Sequence, residues 1–416
     1  MKGNSSENMC HKKRWFILSL IPMIVWLNVD NSNNVRNVIN TIKEMSINKY
    51  KQQSNAPENH ATIVNKYQIK KPSYDIVIVS CGDSRFMETV NLIKSIIMFS
   101  EQISIDIYLF ADIIGEKINK RFLYLKNIWI KKYQGLDIQL RILNPFNQNQ
   151  EIEFSKTEFA PCANLRLYIP ELLPKNKSRV VYIDTDVLFL GNTGSIFSKV
   201  FHKMEQNKKM IALTTENKND DISYYFKYSA LPSLYYGLNS GIIFMNLHSM
   251  RKYLWTDRVR LIFSLLGNSL VFSDQDIFNF LFFLQPNVFL ELHCNYNFRP
   301  DHCYSRQYFT TSKEKGVIMH GSRSAFHNID LNIRTLRMFK WFLSSLINNP
   351  LLFLYSIKVI HINAEFDFFR MVYRSVDKAT PIKSHIKELS KALKSATACS
   401  EFKNFLLHSI KMSYLN

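Results

Sequence analysis

The fold class follows from one run of residues, Arg179-Val-Val-Tyr-Ile-Asp-Thr-Asp-Val-Leu-Phe-Leu190. Apolar side chains stand on both sides of Asp184, Thr185 and Asp186, and this pattern is typical of a strand buried on both faces in a parallel sheet. Two carboxylates at the end of a buried strand require a cation, because burying an unpaired charge is costly. A divalent metal ion that carries substrate phosphates meets this need, since it binds carboxylate and phosphate oxygens together. Two solvent-facing aspartates, or a helix N-cap, are the alternative interpretation.

Strands and helices alternate along the chain before this run. The apolar spacing predicts a strand at 75–80, a helix at 88–99, a strand at 105–110, a helix at 117–128, a strand at 136–143 and a helix at 163–173 bent by Pro170. Such alternation indicates an α/β fold with a parallel sheet and helices on both faces. Ligands of these sheets bind beyond the carboxyl ends of the strands, so Cys81 and Gly82 are expected at the same rim as the two aspartates. Neither a Gly-x-Gly-x-x-Gly motif nor a P-loop follows the first strand, which excludes dinucleotide-binding and ATPase interpretations.

Polar residues interrupt the apolar pattern again in the second half of the chain. The predicted elements there are a helix at 195–204, strands at 210–215 and 242–246, a helix at 250–266, a helix opened by residues 273–276 and a last strand at 316–323. Asn239 and Ser240 precede Gly241, and this glycine gives a polar ligand close access to the backbone. An aromatic cluster at 224–236 is either core or a ligand platform.

Two further polar sites each have a structural and a functional interpretation. Ser273 or Asp274 is either a helix N-cap or part of a ligand site. The last predicted strand ends in His320, Gly321 and Arg323, and this histidine is either a structural residue or a ligand.

The basic residues of the 416-residue chain, which has a formal net charge of +19, concentrate at its two ends. Residues 1–72 carry 11 lysines and arginines against 4 acidic residues, and residues 331–416 carry 13 against 5. A nucleic-acid-binding protein concentrates its charge on the folded face that reads the ligand. The distribution therefore indicates proximity to a membrane, and no nucleic-acid partner is expected.

The N-terminal region has the pattern of a membrane anchor. His11-Lys-Lys-Arg14 precedes a 13-residue apolar run at 15–27, which is typical of a signal-peptide core or a short anchor. No small-x-small cleavage site follows, which favours an uncleaved signal anchor with its basic flank in the cytosol. We therefore expect a single-pass type II protein of the Golgi or endoplasmic reticulum membrane. Its parts would be a cytosolic tail (1–14), a transmembrane segment (15–29), a luminal stalk (30–72), a folded domain (73–330) and a basic helical extension (331–416).

Five of the six cysteines follow the predicted anchor, and they would lie in an oxidising compartment. An odd number leaves at least one thiol free or paired between chains. Cys294 and Cys303 are candidates to close a short loop, and the cysteine spacing shows no zinc pattern. Asn176-Lys-Ser178 is a glycosylation acceptor and agrees with a luminal location.

Several ordered segments together resemble family 8 of the glycosyltransferases. They are Tyr182-Ile-Asp-Thr-Asp-Val-Leu-Phe-Leu190, Asn239-Ser-Gly-Ile-Ile-Phe-Met-Asn246, Asp274-Gln-Asp276 and His320-Gly-Ser-Arg323. Within that family the chain looks most like the glucoside xylosyltransferases. The segments that carry this closer resemblance are Ser80-Cys-Gly82, Pro161-Cys-Ala163 with Arg166-Leu167, and Asn297-Phe-Arg-Pro-Asp-His-Cys303. The resemblance implies a Rossmann-like nucleotide-sugar fold of the GT-A type, with residues 73–330 as the catalytic domain.

The resemblance also implies a metal cofactor. Mn²⁺ would be held by Asp184, Asp186 and His320. Two carboxylates and one imidazole leave coordination positions for both phosphates of a UDP-sugar, and the metal would stabilise the departing UDP as a Lewis acid.

Roles for neighbouring residues follow from the same resemblance. The expected substrate-binding residues are Cys81, Gly82, Arg166, Arg323 and, on the sugar hydroxyls, Asn239 and Ser240. Arg166 would reach the donor sugar and its phosphate, and Arg323 the diphosphate. Asp274 and Gln275 are the expected catalytic residues beside the anomeric carbon, with Gln275 on the face opposite the leaving group.

The expected reaction is a transfer with retention of the anomeric configuration, as in the family. UDP-xylose is the favoured donor and would give an α-linked xylose. No Asp or Glu is clearly placed as a covalent nucleophile, which favours front-face attack with the leaving phosphate taking the acceptor proton. By resemblance, the acceptor is the O-linked glucose on EGF-like repeats of Notch-type proteins.

Three other interpretations of the motifs are possible. A phosphohydrolase of the haloacid dehalogenase type also places Asp-x-Asp at a strand end, but usually at the first strand of the chain, and it has no use for His320. A membrane-anchored sugar-binding protein that has kept the fold is disfavoured, because all three expected metal ligands are present. A family 8 transferase with UDP-glucose or UDP-galactose as donor is the nearest alternative.

Overall fold

The protein is described here by a computed structural model, which covers residues 40–41, 71–100, 103–112, 114–130, 137–144, 161–216, 225, 229, 237–304 and 318–322. The predicted tail, anchor and C-terminal extension lie outside these ranges, as do nearly all of the stalk, Arg323 and most of the aromatic cluster at 224–236. Within the described ranges, no helix is both long enough and apolar enough to cross a membrane.

The described residues form nine strands in two sheets. In chain order they are β1 (Ser73–Ser80), β2 (Ser104–Ala111), β3 (Asp137–Leu143), β4 (Arg179–Ile183), β5 (Val187–Phe189), β6 (Ile211–Thr215), β7 (Leu238–Asn246), β8 (Phe289–Leu292) and β9 (Ile318–His320). The larger sheet has the order β3-β2-β1-β4-β7-β6-β8, and the smaller one pairs β5 with β9. In the larger sheet β7 runs antiparallel to both of its neighbours, and its other described pairings are parallel. The mixed, mostly parallel sheet confirms the predicted fold class.

Helices cover both faces of the large sheet. They are α1 (Phe86–Met98), α2 (Gly115–Ile130), α3 (Pro161–Asn164), α4 (Ile169–Leu172), α5 (Thr193–Gln206), α6 (Leu247–Lys252), α7 (Trp255–Leu266) and α8 (Asp274–Leu284). Ile76 and Ile78 of β1 pack against α1, α2 and α5, whereas Val77 and Tyr182 lie in the core under α6, α7 and α8. Burying one such apolar side chain is worth about 1.5–3 kcal/mol. The central strands are continuous apolar runs because both of their faces are buried.

The run 179–190 was predicted as one strand, and this prediction is wrong in one respect. β4 ends at Ile183, and the Asp184 N–H still donates to the Gly241 carbonyl at 2.8 Å before the chain turns away. After Asp186 the chain forms β5, which pairs with β9 in the second sheet. The turn between the two sheets is therefore what presents the aspartates at the sheet rim.

Two helix predictions need correction, and one strand was not predicted. The helix expected at 250–266 is two helices, because Leu254 adopts a left-handed backbone with φ 55° between α6 and α7. The segment 163–173 is helical, but the 3-10 turn Leu165–Tyr168 separates α3 from α4, so the irregularity lies just before Pro170. Strand β8 was not predicted, since its four residues are too few for a period to show.

The structure contains one disulfide that was not predicted from the sequence. Cys81 after β1 forms a disulfide with Cys162 in α3. Cys294 is buried, and the side chain of Cys303, its candidate partner, lies outside the described residues. The observed disulfide joins positions 81 residues apart in the sequence. Asn176 is exposed in its turn, as a glycosylation acceptor requires.

Strand direction determines where the polar residues meet. The chain leaves β1 toward β2 on one side and later returns to β4 on the other side, so the sheet has its topological switch point between β1 and β4. Ligands of open α/β sheets bind at such a point, beyond the carboxyl ends of the strands. Because β6 is parallel to β4 and β7 is antiparallel, the carboxyl end of β6 and the amino end of β7 lie at this same rim.

Candidate active site

Three potential metal ligands meet beyond the carboxyl end of β4. Asp184, Asp186 and His320 each offer one ligand atom, and these atoms lie within 4.8 Å of one another. His320 Nε2 is 3.3 Å from Asp186 Oδ1 and 3.8 Å from Asp184 Oδ2. The small sheet brings them together, because His320 stands opposite Val187 in the β5–β9 register and the Gly321 N–H donates to the Asp186 carbonyl at 2.7 Å. The structure thus joins the three residues that the sequence predicts as ligands.

The imidazole of His320 is oriented by an amide. Its Nδ1 lies 2.8 Å from Asn297 Oδ1, and because an amide oxygen only accepts, Nδ1 carries a proton and Nε2 faces the carboxylates. Burial lowers the pKa of His320, but the charges of Asp186 and Asp184 outweigh burial and hold this pKa above its ordinary value. One imidazole nitrogen and two carboxylate oxygens form a donor set that suits Mn²⁺. The residues therefore fit a divalent metal ion.

Arg166 lies between the metal-ligand candidates and the start of α8. Its guanidinium is 3.0 Å from Asp184 Oδ1 through Nη2 and 3.4 Å from Asp274 Oδ2 through Nε. It also stacks over the Tyr182 ring with 4.6 Å to the centroid, and the Tyr182 hydroxyl donates to Asp184. Burial lowers the pKa of Arg166, but the negative charges of Asp184 and Asp274 raise it by more, so this pKa lies above its ordinary value. Arg166 is thus a buried permanent cation shared by two carboxylates.

Asp274 and Ser240 complete this cluster. The Ser240 hydroxyl donates to Asp274 Oδ2 at 2.8 Å, and Arg166 Nη1 donates to the Ser240 carbonyl at 3.1 Å. Burial raises the pKa of Asp274 although Arg166 and Ser240 oppose that rise. Ser273 makes no N-cap hydrogen bond, because its hydroxyl donates to Asn164 Oδ1 at 2.6 Å instead. The start of α8 is therefore tied to the rim of the site.

Asn239 and Gln275 meet at Glu216, a residue that the sequence analysis did not single out. Asn239 Nδ2 donates to Glu216 Oε1 at 2.9 Å, and Gln275 Nε2 donates to the same oxygen at 3.0 Å. Glu216 follows β6 and is buried, and its Oε2 lies 3.2 Å from Arg299 Nη2. The signal available in the sequence was its position one residue beyond a strand end.

Cys81 and Gly82 lie at the end of β1 as predicted, but their groups are already engaged. The Cys81 sulfur is in the disulfide with Cys162, which ties this strand end to the segment that carries Arg166. The Gly82 N–H donates to Asp112 Oδ2 at 2.9 Å, and its φ of 82° favours glycine. Their predicted contact with substrate stays a prediction.

Gly241 was predicted to give a ligand access to the backbone, and the structure shows that it makes room for His320. A Cβ at position 241 would lie 2.2 Å from His320 Cε1 and 2.7 Å from its Nδ1. No real Cβ tolerates such distances, so a side chain here must displace the imidazole. Gly241 is therefore required for the position of the candidate metal ligand.

Gly241→Ala should lower Mn²⁺ affinity at least about tenfold, because an imidazole that has moved no longer converges with Asp184 and Asp186. The measurement is the loss of the free Mn²⁺ signal in electron paramagnetic resonance during titration. Gly267→Ala is the control, since a Cβ at Gly267 meets no described atom within 4 Å. Equal Mn²⁺ affinity of Gly241→Ala and the unmodified protein would contradict this account of the glycine.

The fold and the site together define a class of protein. A mixed, mostly parallel sheet with an aspartate pair and a histidine beyond its central strand is the GT-A type of nucleotide-sugar fold. Residues 76–320 match Glycosyl transferase family 8, and the chain belongs to this family.

The chain is similar in sequence to several proteins named as glycosyltransferases. It is 30% identical over 268 residues to Glucoside xylosyltransferase 1 of Rattus norvegicus, with 61% of this chain and 59% of that protein covered. It is 28% identical over 268 residues to Glucoside xylosyltransferase 2 of Xenopus laevis, with 61% of each covered. The Gallus gallus xylosyl- and glucuronyltransferase LARGE1 is 27% identical over 258 residues, covering 58% of this chain and 32% of that protein. The chain thus spans about three fifths of the length of the glucoside xylosyltransferases it matches.

Solved structures with similar folds include mouse Xyloside xylosyltransferase 1 in its apo form. It has a TM-score of 0.44 and 16% identity, and the match covers 62% of this chain and 99% of that chain. The galactosyltransferase LgtC in complex with donor and acceptor sugar analogs has a TM-score of 0.43 and 17% identity, covering 61% of this chain and 90% of that chain.

Proposed function

We propose that this chain is a Mn²⁺-dependent, retaining glycosyltransferase that transfers α-linked xylose from UDP-xylose to O-linked glucose on EGF-like repeats of Notch-type proteins. The observation that carries the proposal is the convergence of Asp184, Asp186 and His320 within 4.8 Å at the switch point of the sheet. Two carboxylates and an imidazole leave coordination positions open, as a metal that also binds a diphosphate requires.

The choice of xylose rests on the relatives. Proteins named glucoside xylosyltransferases align with the chain at 28–30% identity, and the alignment covers 61% of it. By extension, a xylosyl donor and a glucoside acceptor are the first substrates to test. The LARGE1 relative makes UDP-glucuronic acid a useful competing donor.

Bound Mn²⁺ would supply a Lewis acid for the charge that develops on the departing diphosphate. Next to it, Arg166 keeps a second cation in place, because Asp184 and Asp274 hold its guanidinium from two sides. Groups held in advance stabilise developing charge without reorganising during the reaction. Gln275 donates its amide N–H to Glu216, so its carbonyl oxygen is the end available to a developing positive charge on the sugar.

The surroundings of the carboxylates favour front-face attack. Asp274 is bound by Ser240 and Arg166, and Glu216 accepts from Asn239 and Gln275, so both carboxylates are engaged. In the proposed step the acceptor hydroxyl forms a bond to the anomeric carbon on the side from which UDP leaves. The bond from that carbon to the phosphate oxygen breaks, and the leaving phosphate takes the hydroxyl proton.

We further propose that the chain works on the luminal side of a Golgi or endoplasmic reticulum membrane as a type II protein. The basic flank and apolar run at 11–27 support this location. The Cys81–Cys162 disulfide also supports it, since disulfides persist in oxidising compartments.

A donor screen tests the proposed function. Purified protein would be incubated with Mn²⁺, an O-glucosylated EGF-like repeat and, in separate reactions, UDP-xylose, UDP-glucose, UDP-galactose or UDP-glucuronic acid. We expect xylose to be transferred at least about tenfold faster than the other sugars, since removal or addition of one group in a pocket is worth about 1–3 kcal/mol. EDTA should stop the reaction. Faster transfer of another sugar would overturn the donor, and binding of UDP-sugars without transfer to any acceptor would favour a sugar-binding protein.

A further inference from the structure

A continuous chain of side-chain hydrogen bonds runs from His320 to Gln275. Asn297 accepts from His320 Nδ1 at 2.8 Å, and Asn297 Nδ2 donates to Asn239 Oδ1 at 2.7 Å. Asn239 Nδ2 donates to Glu216 Oε1 at 2.9 Å, and Gln275 Nε2 donates to the same oxygen at 3.0 Å. His320, a candidate metal ligand, and Gln275, expected beside the donor sugar, are therefore both connected to Glu216 by hydrogen bonds.

Each hydrogen bond in this row of side chains has a fixed donor and a fixed acceptor. A carboxylate only accepts hydrogen bonds, so Glu216 turns the nitrogen of Asn239 toward itself and the oxygen of Asn239 away. The backbone N–H of Gly241 donates to that same Asn239 oxygen at 3.1 Å, which independently requires the same orientation. The Asn239 oxygen then accepts from the nitrogen of Asn297, whose own oxygen is left to accept the Nδ1 proton of His320. In the neutral imidazole the lone pair is therefore on Nε2, which is directed at the metal position.

The side chains in this row of hydrogen bonds are buried, so water cannot replace any of them. Asn297 is 0% exposed, Asn239 8% and Glu216 5%. The charge of Glu216 is balanced by Arg299, whose Nη2 lies 3.2 Å from Oε2. Arg299 is itself held by Asp301 at 3.3 Å. Because these ion pairs hold the buried carboxylate of Glu216 in place, it also fixes the positions of the side chains that donate to it.

We propose that Glu216, Asn239 and Asn297 are positioning residues, which set the tautomer and ring orientation of His320 and hold Gln275 in register with the metal. The proposal rests on the proposed function in one respect, since it takes Asp184, Asp186 and His320 as the metal site. Asn239 then acts through its neighbours, because both ends of its amide are engaged within the protein. Partners that orient a metal-bound histidine typically change metal affinity 10–100-fold when they are removed.

Removal of Asn297 is the first test, with Mn²⁺ alone as the probe. Asn297→Ala should weaken Mn²⁺ binding about 10–100-fold in a paramagnetic resonance titration. The matched control is Asn91→Ala in α1, another buried asparagine, whose side chain has no hydrogen-bond partner among the described residues. Unchanged Mn²⁺ affinity in Asn297→Ala would overturn the proposal.

A reversal of one link distinguishes positioning from general damage to the fold. Asn239→Asp sets a carboxylate against Glu216 and should weaken Mn²⁺ binding at least about tenfold. Asn239→Asp combined with Glu216→Gln restores the hydrogen bond between positions 216 and 239 in the opposite direction and keeps the total charge. Gln275 now donates to the same Glu216 oxygen, so in the double variant its amide has to turn and accept from the new nitrogen. Mn²⁺ affinity, which depends on the link through Asn297 to His320, should return to within about threefold of the unmodified protein. A double variant as weak as Asn239→Asp alone would overturn the proposal.

These titrations contain no sugar and no acceptor, so their outcome does not depend on the transfer reaction. If the unmodified protein binds Mn²⁺ and all variants bind it equally, the positioning role fails and the proposed function stands. If the unmodified protein itself binds no Mn²⁺, the metal site of the proposed function fails, and the positioning role fails with it.

Discussion

Asp186→Asn should reduce sugar transfer more than about a hundredfold, because it removes one of the two carboxylates in the metal site while keeping the size of the side chain. Asp186 faces His320 Nε2 at 3.3 Å and follows the turn between the two sheets. Losing the charge of Asp186 removes a metal ligand and weakens metal affinity directly. Removing a residue such as Asn297, which only orients a ligand, should have a smaller effect. The measurement is the initial rate of transfer at saturating donor, together with the Mn²⁺ affinity.

Asp257→Asn is the matched control for this variant. Asp257 lies on α7, is 50% exposed and is 3.7 Å from Arg260, so its loss should change neither the rate of transfer nor Mn²⁺ affinity. Transfer by Asp186→Asn at the rate of the unmodified protein, with EDTA present, would contradict the metal model.

Arg166→Ala should destabilise the fold by about 3–5 kcal/mol, because it leaves Asp184 and Asp274 without the cation they share. The side chain of Arg166 is only 11% exposed, so water screens these ion pairs little. Lysine restores the charge but not the planar fork that reaches both carboxylates, so Arg166→Lys should recover only part of the loss.

The loss of stability in Arg166→Ala should depend on pH. Burial raises the pKa of Asp274, and Arg166 opposes this rise, so without the arginine the pKa rises further. The folded state then binds more protons than the unfolded state, and stability falls as pH increases through the folded pKa of Asp274. Urea unfolding should therefore show a smaller difference between Arg166→Ala and the unmodified protein in acid than at neutral pH.

Arg260→Ala provides the surface comparison. Arg260 Nη2 contacts both oxygens of Glu171 at 2.9 Å, but its side chain is 45% exposed, and exposed pairs contribute about 0–1 kcal/mol. If Arg166→Ala loses no more stability than Arg260→Ala, the buried guanidinium of Arg166 stabilises the fold no more than an exposed one does.

Most of the sheet was predictable from the sequence because its strands are buried on both faces. Val77 and Ile78 of β1, or Val180 and Val181 of β4, face opposite cores, so no polar residue interrupts these runs. Strand β8 was missed since it is short and contains the exposed Glu291. The turn that divides 179–190 was missed because the apolar residues after Asp186 belong to a second sheet, whose other strand lies more than a hundred residues later.

The candidate site was predictable where one residue type has a strong chemical preference. Asp184, Asp186 and His320 were found in this way. Glu216 and Asn297 were not identified as parts of the site. Their role depends on hydrogen bonds between residues far apart in the sequence, and no sequence pattern predicts such bonds. The Cys81–Cys162 disulfide was not predicted for a related reason, since its two cysteines are 81 residues apart in the sequence and only the fold brings them together.

In the proposed function, Asp184, Asp186 and His320 bind a divalent metal that in turn binds the diphosphate of a UDP-sugar. A calorimetric titration of the unmodified protein with UDP, once with Mn²⁺ and once with EDTA, tests it most directly. We expect UDP to bind at least about a hundredfold more tightly with Mn²⁺ than with EDTA, which corresponds to a coupling free energy of about 3 kcal/mol. Equal affinity for UDP under the two conditions would contradict it.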